Sequence, residues 1–349
     1  MPLAVIAIAF AFLLLLPETV LAWGAATHVK LANDVLAQLA LLSPAVAALL
    51  ARYSRDFLFG NIAADVIFAK RLSRVKQFCH QWPTAFEILR GAGHEPTRAF
   101  AYGYLTHLAA DTVAHNKFVP RQMTITRSTL SFGHLYWELR ADSAIGTYYW
   151  QQLREVLDGR FAEHEMMLAD KLTDSLLPFQ YNLAIFYHLN NIVSRRGWIR
   201  TMDAWYGRSR WELPDDVLAA YRRECVDRAI DLLTHGERSH VVREDPNGTT
   251  ALSHTKAKRR QQRQMARAGI LYPHVLNEAT ARHVPAVNGR IRPGGTDNPS
   301  IPTQPRDSGQ AFSGRGADIL SAGGKGNPDS EALRDRDAPQ HPWATQHQT

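Results

Sequence analysis

Between Trp23 and about Arg243 the apolar residues recur at helical spacing and form no convincing alternating strand, and this property constrains the fold most tightly. The stripes are plain in HVKLANDVLAQLALL, FLFGNIAADVIFAK, TRAFAYGYLTHLAADTVAHNKFV and LSFGHLYWELRADSAIGTYYWQQLREVL. Residues three and four apart share a helix face, so each segment has one apolar side to bury against the others. Pro44, Pro83, Pro96 and Pro214 stand where breaks are wanted, and Thr97 and Asp215 suit helix starts. The expectation is an all-α fold, a single multi-helix domain over residues 23–245, and the 45% hydrophobic content supplies a core for it.

The two ends of the chain differ from this middle. Residues 1–22 contain the apolar run LAVIAIAFAFLLLLP, and Val20 and Ala22 are small residues at the −3 and −1 positions of a signal peptidase site. A signal peptide over 1–22 is therefore expected, with a secreted or periplasmic chain beginning at Trp23. The n-region carries only the amino terminus as charge, so an uncleaved anchor is the alternative. At the other end, Ala251 to Thr349 hold fourteen Lys and Arg against eight Asp and Glu, which accounts for +6 of the formal +7. Residues 246–349 are read as a basic, Pro- and Gly-rich tail, disordered from about 290 onward because it has too little apolar surface to offset ordering entropy. Within it KAKRRQQRQMARAGILYPHVL suits a basic helix, usually a solvated one, with anionic lipid or nucleic acid as its conceivable partners. The two cysteines, Cys79 and Cys225, cannot build a disulfide framework, though one bridge is feasible.

YLTHLAADTVAHNKF places His107, Asp111 and His115 at intervals of four. Such residues drift only about 40° per step, so all three lie on one face, while the rise of about 1.5 Å per residue puts His107 and His115 roughly 12 Å apart. One tetrahedral ion cannot take both, whereas Asp111 is within reach of each. Downstream, SFGHLYWELR repeats the interval with His134 and Glu138. Upstream, Asp65 sits among apolar residues in GNIAADVIF, His80 follows in QFCHQW, and His28 lies five residues after Trp23 in WGAATHVKLAN. Taken singly, each is more ordinarily a core, capping or surface residue.

As an ordered set, Trp-Gly…Thr-His, Asn-Ile-Ala-x-Asp, His, Gly-Tyr-Leu-x-His-x3-Asp-x3-His and His-x3-Glu, these residues resemble the zinc-dependent phospholipase C family over about residues 23 to 195. That family comprises all-α tri-zinc phosphodiesterases related to S1/P1-type nucleases. The resemblance implies three zinc ions. One would take Asp65, His80, His107 and Asp111, a second His115, His134 and Glu138, and a third His28, the other oxygen of Asp111, and Trp23 through its free amino nitrogen and carbonyl. It also implies that Asp65 orients or deprotonates the attacking water, and that the substrate is a phospholipid at a membrane surface. No protein partner is inferable.

Positions that carry aromatics in choline-preferring members of the family hold Val66 and Gln77, and Gly24 to Thr27 replace their early Glu, so no cationic head-group pocket is evident. The short gap from Trp23 to His28 resembles the nuclease branch, while Glu138 and the GYLTHLAADTVAH context resemble the phospholipase branch. The alternatives are an S1/P1-like nuclease or nucleotidase, which would act on nucleic acid, and a non-catalytic, metal-stabilised lipid-binding domain. Because every implied ligand precedes Leu139, a chain ending near Pro246 is expected to keep the site.

Overall fold

The computed structural model describes residues 23–67, 78–126, 130–173, 175–207, 209, 211 and 213–269. Among them all regular structure is helical, and no helix is long and apolar enough to cross a membrane. The elements run α1 (Ala25–Leu36), α2 (Pro44–Arg52), α3 (Ser54–Ala63), a 3-10 turn (Ala64–Val66), a second such turn (Phe78–His80), α4 (Trp82–Gly91) and α5 (Glu95–Val113). A π-helical turn (Ala114–Phe118) leads into α6 (Val119–Thr126) and α7 (Leu130–Ser143). There follow α8 (Thr147–Leu157), α9 (Ala162–Lys171), α10 (Phe179–Val193), α11 (Arg196–Tyr206), α12 (Asp215–His235) and α13 (Thr249–Arg267).

Pro44 opens α2, and Pro83 and Pro96 occupy the first turns of α4 and α5, where a missing N–H costs nothing. Asp215 is the first residue of α12. Thr97 is not a cap, because α5 starts two residues earlier at Glu95; its hydroxyl instead accepts the His94 N–H at 3.4 Å from the third helical position. Cys79 and Cys225 are both free and buried.

Helix α5 is the axis of the molecule. It is buried from Ala99 almost without a break to Val113, with α3, α4 and α12 packed around it. A helix enclosed on all sides has no solvent-facing stripe of charge, and Ala is its commonest residue. The contact with α3 is the closest, and two glycines make it so. A Cβ on Gly60 would lie 2.0 Å from the Phe100 carbonyl oxygen, and one on Gly103 would lie 2.1 Å from that of Phe57. The two backbones therefore touch, and Asn61, next to Gly60, is carried against the middle of α5.

Two expectations need correction. The stripe through His107, Asp111 and His115 is not one continuous α-helix, because α5 passes into the π turn after Val113 and His115 lies in that turn. The wider turn absorbs a residue and re-aims the side chains that follow it. The boundary placed between 245 and 246 also falls inside the helical body. Helix α13 packs on α6 and the π turn, burying Leu252, Thr255, Arg259 and Gln262, so what reads as basic tail has one face in the structure. The expected signal peptide, Gln77 and the stretch expected to be disordered lie outside the described residues.

Gly103→Ala is expected to cost about 1–3 kcal/mol by overpacking the α3–α5 contact. Gly93→Ala is the control, since a Cβ there meets nothing within 4 Å. Thermal unfolding of the two variants decides it, and equal Tm values would mean that the helices separate without penalty.

Candidate metal centre

Five side chains from four elements meet in the core. Asp65 comes from the turn after α3, His80 from the turn before α4, His107 and Asp111 from α5, and His28 from α1. His80 Nε2 lies 3.2 Å from Asp65 Oδ1, 3.3 Å from Asp111 Oδ2 and 3.1 Å from His107 Nε2. His107 Nε2 is 3.1 Å from Asp111 Oδ2 and 3.9 Å from Asp65 Oδ2. Atoms held about 2.0–2.1 Å from a tetrahedral zinc lie about 3.3 Å from one another, so these spacings are close to the edges of a zinc tetrahedron. On the far side of the same carboxylate, His28 Nε2 is 3.4 Å from Asp111 Oδ1, and its ring stacks on that of His107 with centroids 3.8 Å apart.

The protonation states make this arrangement costly without a cation. His107 Nδ1 is 2.7 Å from the Asn61 carbonyl oxygen, which can only accept, so in the neutral ring the proton is on Nδ1 and Nε2 presents a lone pair. That lone pair faces a carboxylate. Both oxygens of Asp111 and both nitrogens of His28 are buried and make no hydrogen bond of acceptable geometry. One proton on His80 Nε2 cannot serve His107, Asp65 and Asp111 together. Burial opposes the charge on Asp111, but the histidines around it, His107 foremost, hold its pKa well below the usual carboxylate range. Burial, with His107 beside it, pushes His28 down to about 4, so that ring is neutral and able to ligate at neutral pH.

A second cluster lies at the π turn. His115, His134 and Glu138 offer ligand atoms within 4.8 Å of one another, all buried, and His134 Nε2 is 2.8 Å from Glu138 Oε1. The rings of His115 and His134 meet edge to face at 5.2 Å. His115 Nδ1 is 2.5 Å from the carbonyl oxygen of Pro246, which again leaves Nε2 as the ligating atom. The residues present fit zinc, since the donor set is nitrogen and oxygen only and all of it but Asp65 is buried.

The family model described as zinc dependent phospholipase C matches residues 27–176. Over that span the chain is similar to the zinc-dependent phospholipase C family. No curated protein and no solved structure matches the chain. The span matched to the zinc-dependent phospholipase C family contains His28, Asp65, His80, His107, Asp111, His115, His134 and Glu138, and leaves Trp23 outside.

The structure brings those eight residues into three groups: His28, His107 and Asp111; Asp65, His80 and His107; and His115, His134 and Glu138. Trp23 is not in any of them through a side chain. Its indole is buried and stacks on Phe118 of the π turn with centroids 4.6 Å apart. Just after it, a Cβ on Gly24 would lie 2.0 Å from Asp142 Oδ2, and Asp142 Oδ1 accepts the Thr27 N–H at 3.0 Å and its hydroxyl at 2.5 Å. The start of α1 is thus clamped to α7, which fixes His28. His164, for which no spacing argued, is buried against Phe100 and bonds Asp56 at 2.7 Å, away from these groups.

Sequence reasoning missed the segment from Glu244 to Gly248. Asn247 donates to the His80 carbonyl at 2.8 Å, Asn116 donates to that of Asp245 at 2.8 Å, and Trp82 Nε1 donates to that of Glu244 at 2.8 Å. Gly248, at φ 57°, lies so close to His115 that a Cβ would be 2.4 Å from its carbonyl oxygen. This loop touches both histidine groups, although every implied ligand precedes it. Only its turn composition, Asp-Pro-Asn-Gly, was readable in advance.

Asn247→Ala leaves the buried His80 carbonyl without that donor, a loss of about 1–3 kcal/mol. The expected result is a lower Tm together with faster zinc loss to a chelator. A variant that melts lower but keeps zinc as tightly as the parent would limit Asn247 to a structural role.

Proposed function

We propose that the chain is an exported zinc phosphodiesterase that hydrolyses phospholipids in the phospholipase C manner, with its mature amino terminus at Trp23. What supports the reading most is the convergence of lone pairs on Asp111, buried and without hydrogen bonds, inside the segment matched to the zinc-dependent phospholipase C family. On this reading Asp65, His80, His107 and Asp111 would hold one ion. His115, His134 and Glu138 would hold another, and His28, Asp111 and the Trp23 backbone would hold a third. Zinc supplies charge against the phosphodiester oxygens and lowers the pKa of a coordinated water to about 7.

The side chains divide the remaining work by exposure. Asp65 is 12% exposed while His80, His107 and Asp111 are 0–1% exposed, so Asp65 stands at the open edge of its group. There it orients the attacking water and accepts its proton. Asn61 fixes the tautomer and orientation of His107, and Pro246 those of His115, so that each neutral ring presents Nε2 as its ligating nitrogen. The water oxygen forms the new bond to phosphorus, the bond from phosphorus to the glycerol oxygen breaks, and solvent protonates the departing alkoxide. The products are diacylglycerol and a phosphorylated head group.

Zinc-loaded protein is to be assayed on phospholipids, single-stranded nucleic acid and an aryl phosphodiester. Phospholipid should be turned over fastest; preference for nucleic acid would select the nuclease reading, and no turnover on any of them the non-catalytic one. Elemental analysis should find close to three zinc ions per chain, and at most one would end the three-ion assignment. Asp111→Ala should remove about two of them and abolish turnover, because its two oxygens serve different groups.

Trp23 has its own test. A free α-amino group with a pKa near 8 yields its proton to zinc, whereas a peptide nitrogen is not a ligand, so any residue left before Trp23 should block the third site. A cleavable tag ending directly at Trp23 should lower zinc content and activity until it is cut. Equal zinc content before and after cutting would remove Trp23 from the ligand set.

A further inference from the structure

We infer that α13 is a docking surface for anionic lipid bilayers. The helix carries six Lys and Arg with no acidic residue and no Phe, Tyr or Trp. One of the six, Arg259, is buried against the body together with Leu252, Thr255 and Gln262. The others are exposed, and four of them form a row: Lys256, Arg260, Arg263 and Arg267 follow one another at intervals of four, three and four. At 100° per residue these four directions fall within about 60° of one another, so the stripe is a single line of charge facing solvent. None of the four is engaged by a carboxylate among the described residues.

The packing of α13 fixes where this stripe stands. Its first turn is capped by Asp245, whose carboxylate accepts the Thr249 N–H at 2.9 Å, and Gly248 is against His115. Lys256 is then about 12 Å along the helix axis from Gly248, and the stripe runs away from the His115 cluster for about 16 Å more. A fixed row of four cations matches a plane of anionic head groups, where each cation near the surface adds to attraction. Nucleic acid fits the stripe less well, because there is no Phe, Tyr or Trp on this helix to stack a base. The proposal uses the phospholipid reading for its purpose only; the binding itself is independent of turnover.

The test is cosedimentation of the full chain with vesicles in the cold, before hydrolysis. Partitioning onto vesicles with about one-third phosphatidylserine should exceed that onto pure phosphatidylcholine by at least about tenfold, and should fall as salt is raised. A variant with Lys256, Arg260, Arg263 and Arg267 all changed to Gln should lose that preference while hydrolysing a soluble aryl phosphodiester as fast as the parent, which shows that it is folded. Equal partitioning of parent and variant, or tighter binding of the parent to single-stranded nucleic acid than to the anionic vesicles, would overturn the proposal. A parent that binds anionic vesicles through these residues but hydrolyses no diester would keep the docking surface and discard the phospholipase.

Discussion

The arrangement on which the rest of the structure depends is a set of like partners facing each other: lone pairs of histidine nitrogens against the oxygens of Asp111, in a place water does not reach. Left as they are, buried polar groups of this kind cost several kcal/mol, and well-packed proteins rarely leave them. A dication between them would turn each repulsion into a bond, which is why this geometry fits a metal. The helices around α5 are therefore built to present acceptors, and the donors are turned outward to backbone carbonyls.

That turning outward is done by main chain. His107 is set by the carbonyl of Asn61, which reaches it because Gly60 and Gly103 let two helix backbones touch. His115 is set by the carbonyl of Pro246, more than a hundred residues further along, with Gly248 making the approach feasible. In both cases a glycine within two residues of the carbonyl-bearing one provides the space, and the carbonyl then fixes a tautomer. Side-chain partners could be lost to rotation, whereas a helix or loop carbonyl is held by the fold itself.

This explains what could be read from the amino acids and what could not. The all-helical fold followed from the period of the apolar residues, and the pairs His107–Asp111 and His134–Glu138 from an interval of four, because helix geometry is a local property. Asp65 and His80 come from turns with no period of their own, and only the resemblance joined them to the rest. Asn61, Pro246 and Asn247 left no trace as site residues, since a backbone carbonyl has no sequence signature and any residue supplies one. The π turn escaped for a similar reason: AHNKF has nothing that distinguishes one wider turn from another α turn, and tertiary packing decides between them. The fold was extended too short at the carboxyl end because α13 is so polar that its buried face, Leu252, Thr255, Arg259 and Gln262, contains a single large apolar residue.

The Glu244–Gly248 loop gives that polar helix its place in the molecule. Glu244 pairs with Arg228 of α12 at 2.7 Å, and the same guanidinium donates to Thr112 of α5 at 2.7 Å, one residue after Asp111. From there the chain passes the carbonyl of Pro246 to His115 and the amide of Asn247 to the carbonyl of His80, and then enters α13. Three helices and both histidine groups are thus joined through five consecutive residues. Helix α13 has too little apolar surface to dock by burial alone, and this loop holds its first turn. The loop in turn is held by the first turn of α13, through Asp245 and Thr249, and by the His115 ring it orients.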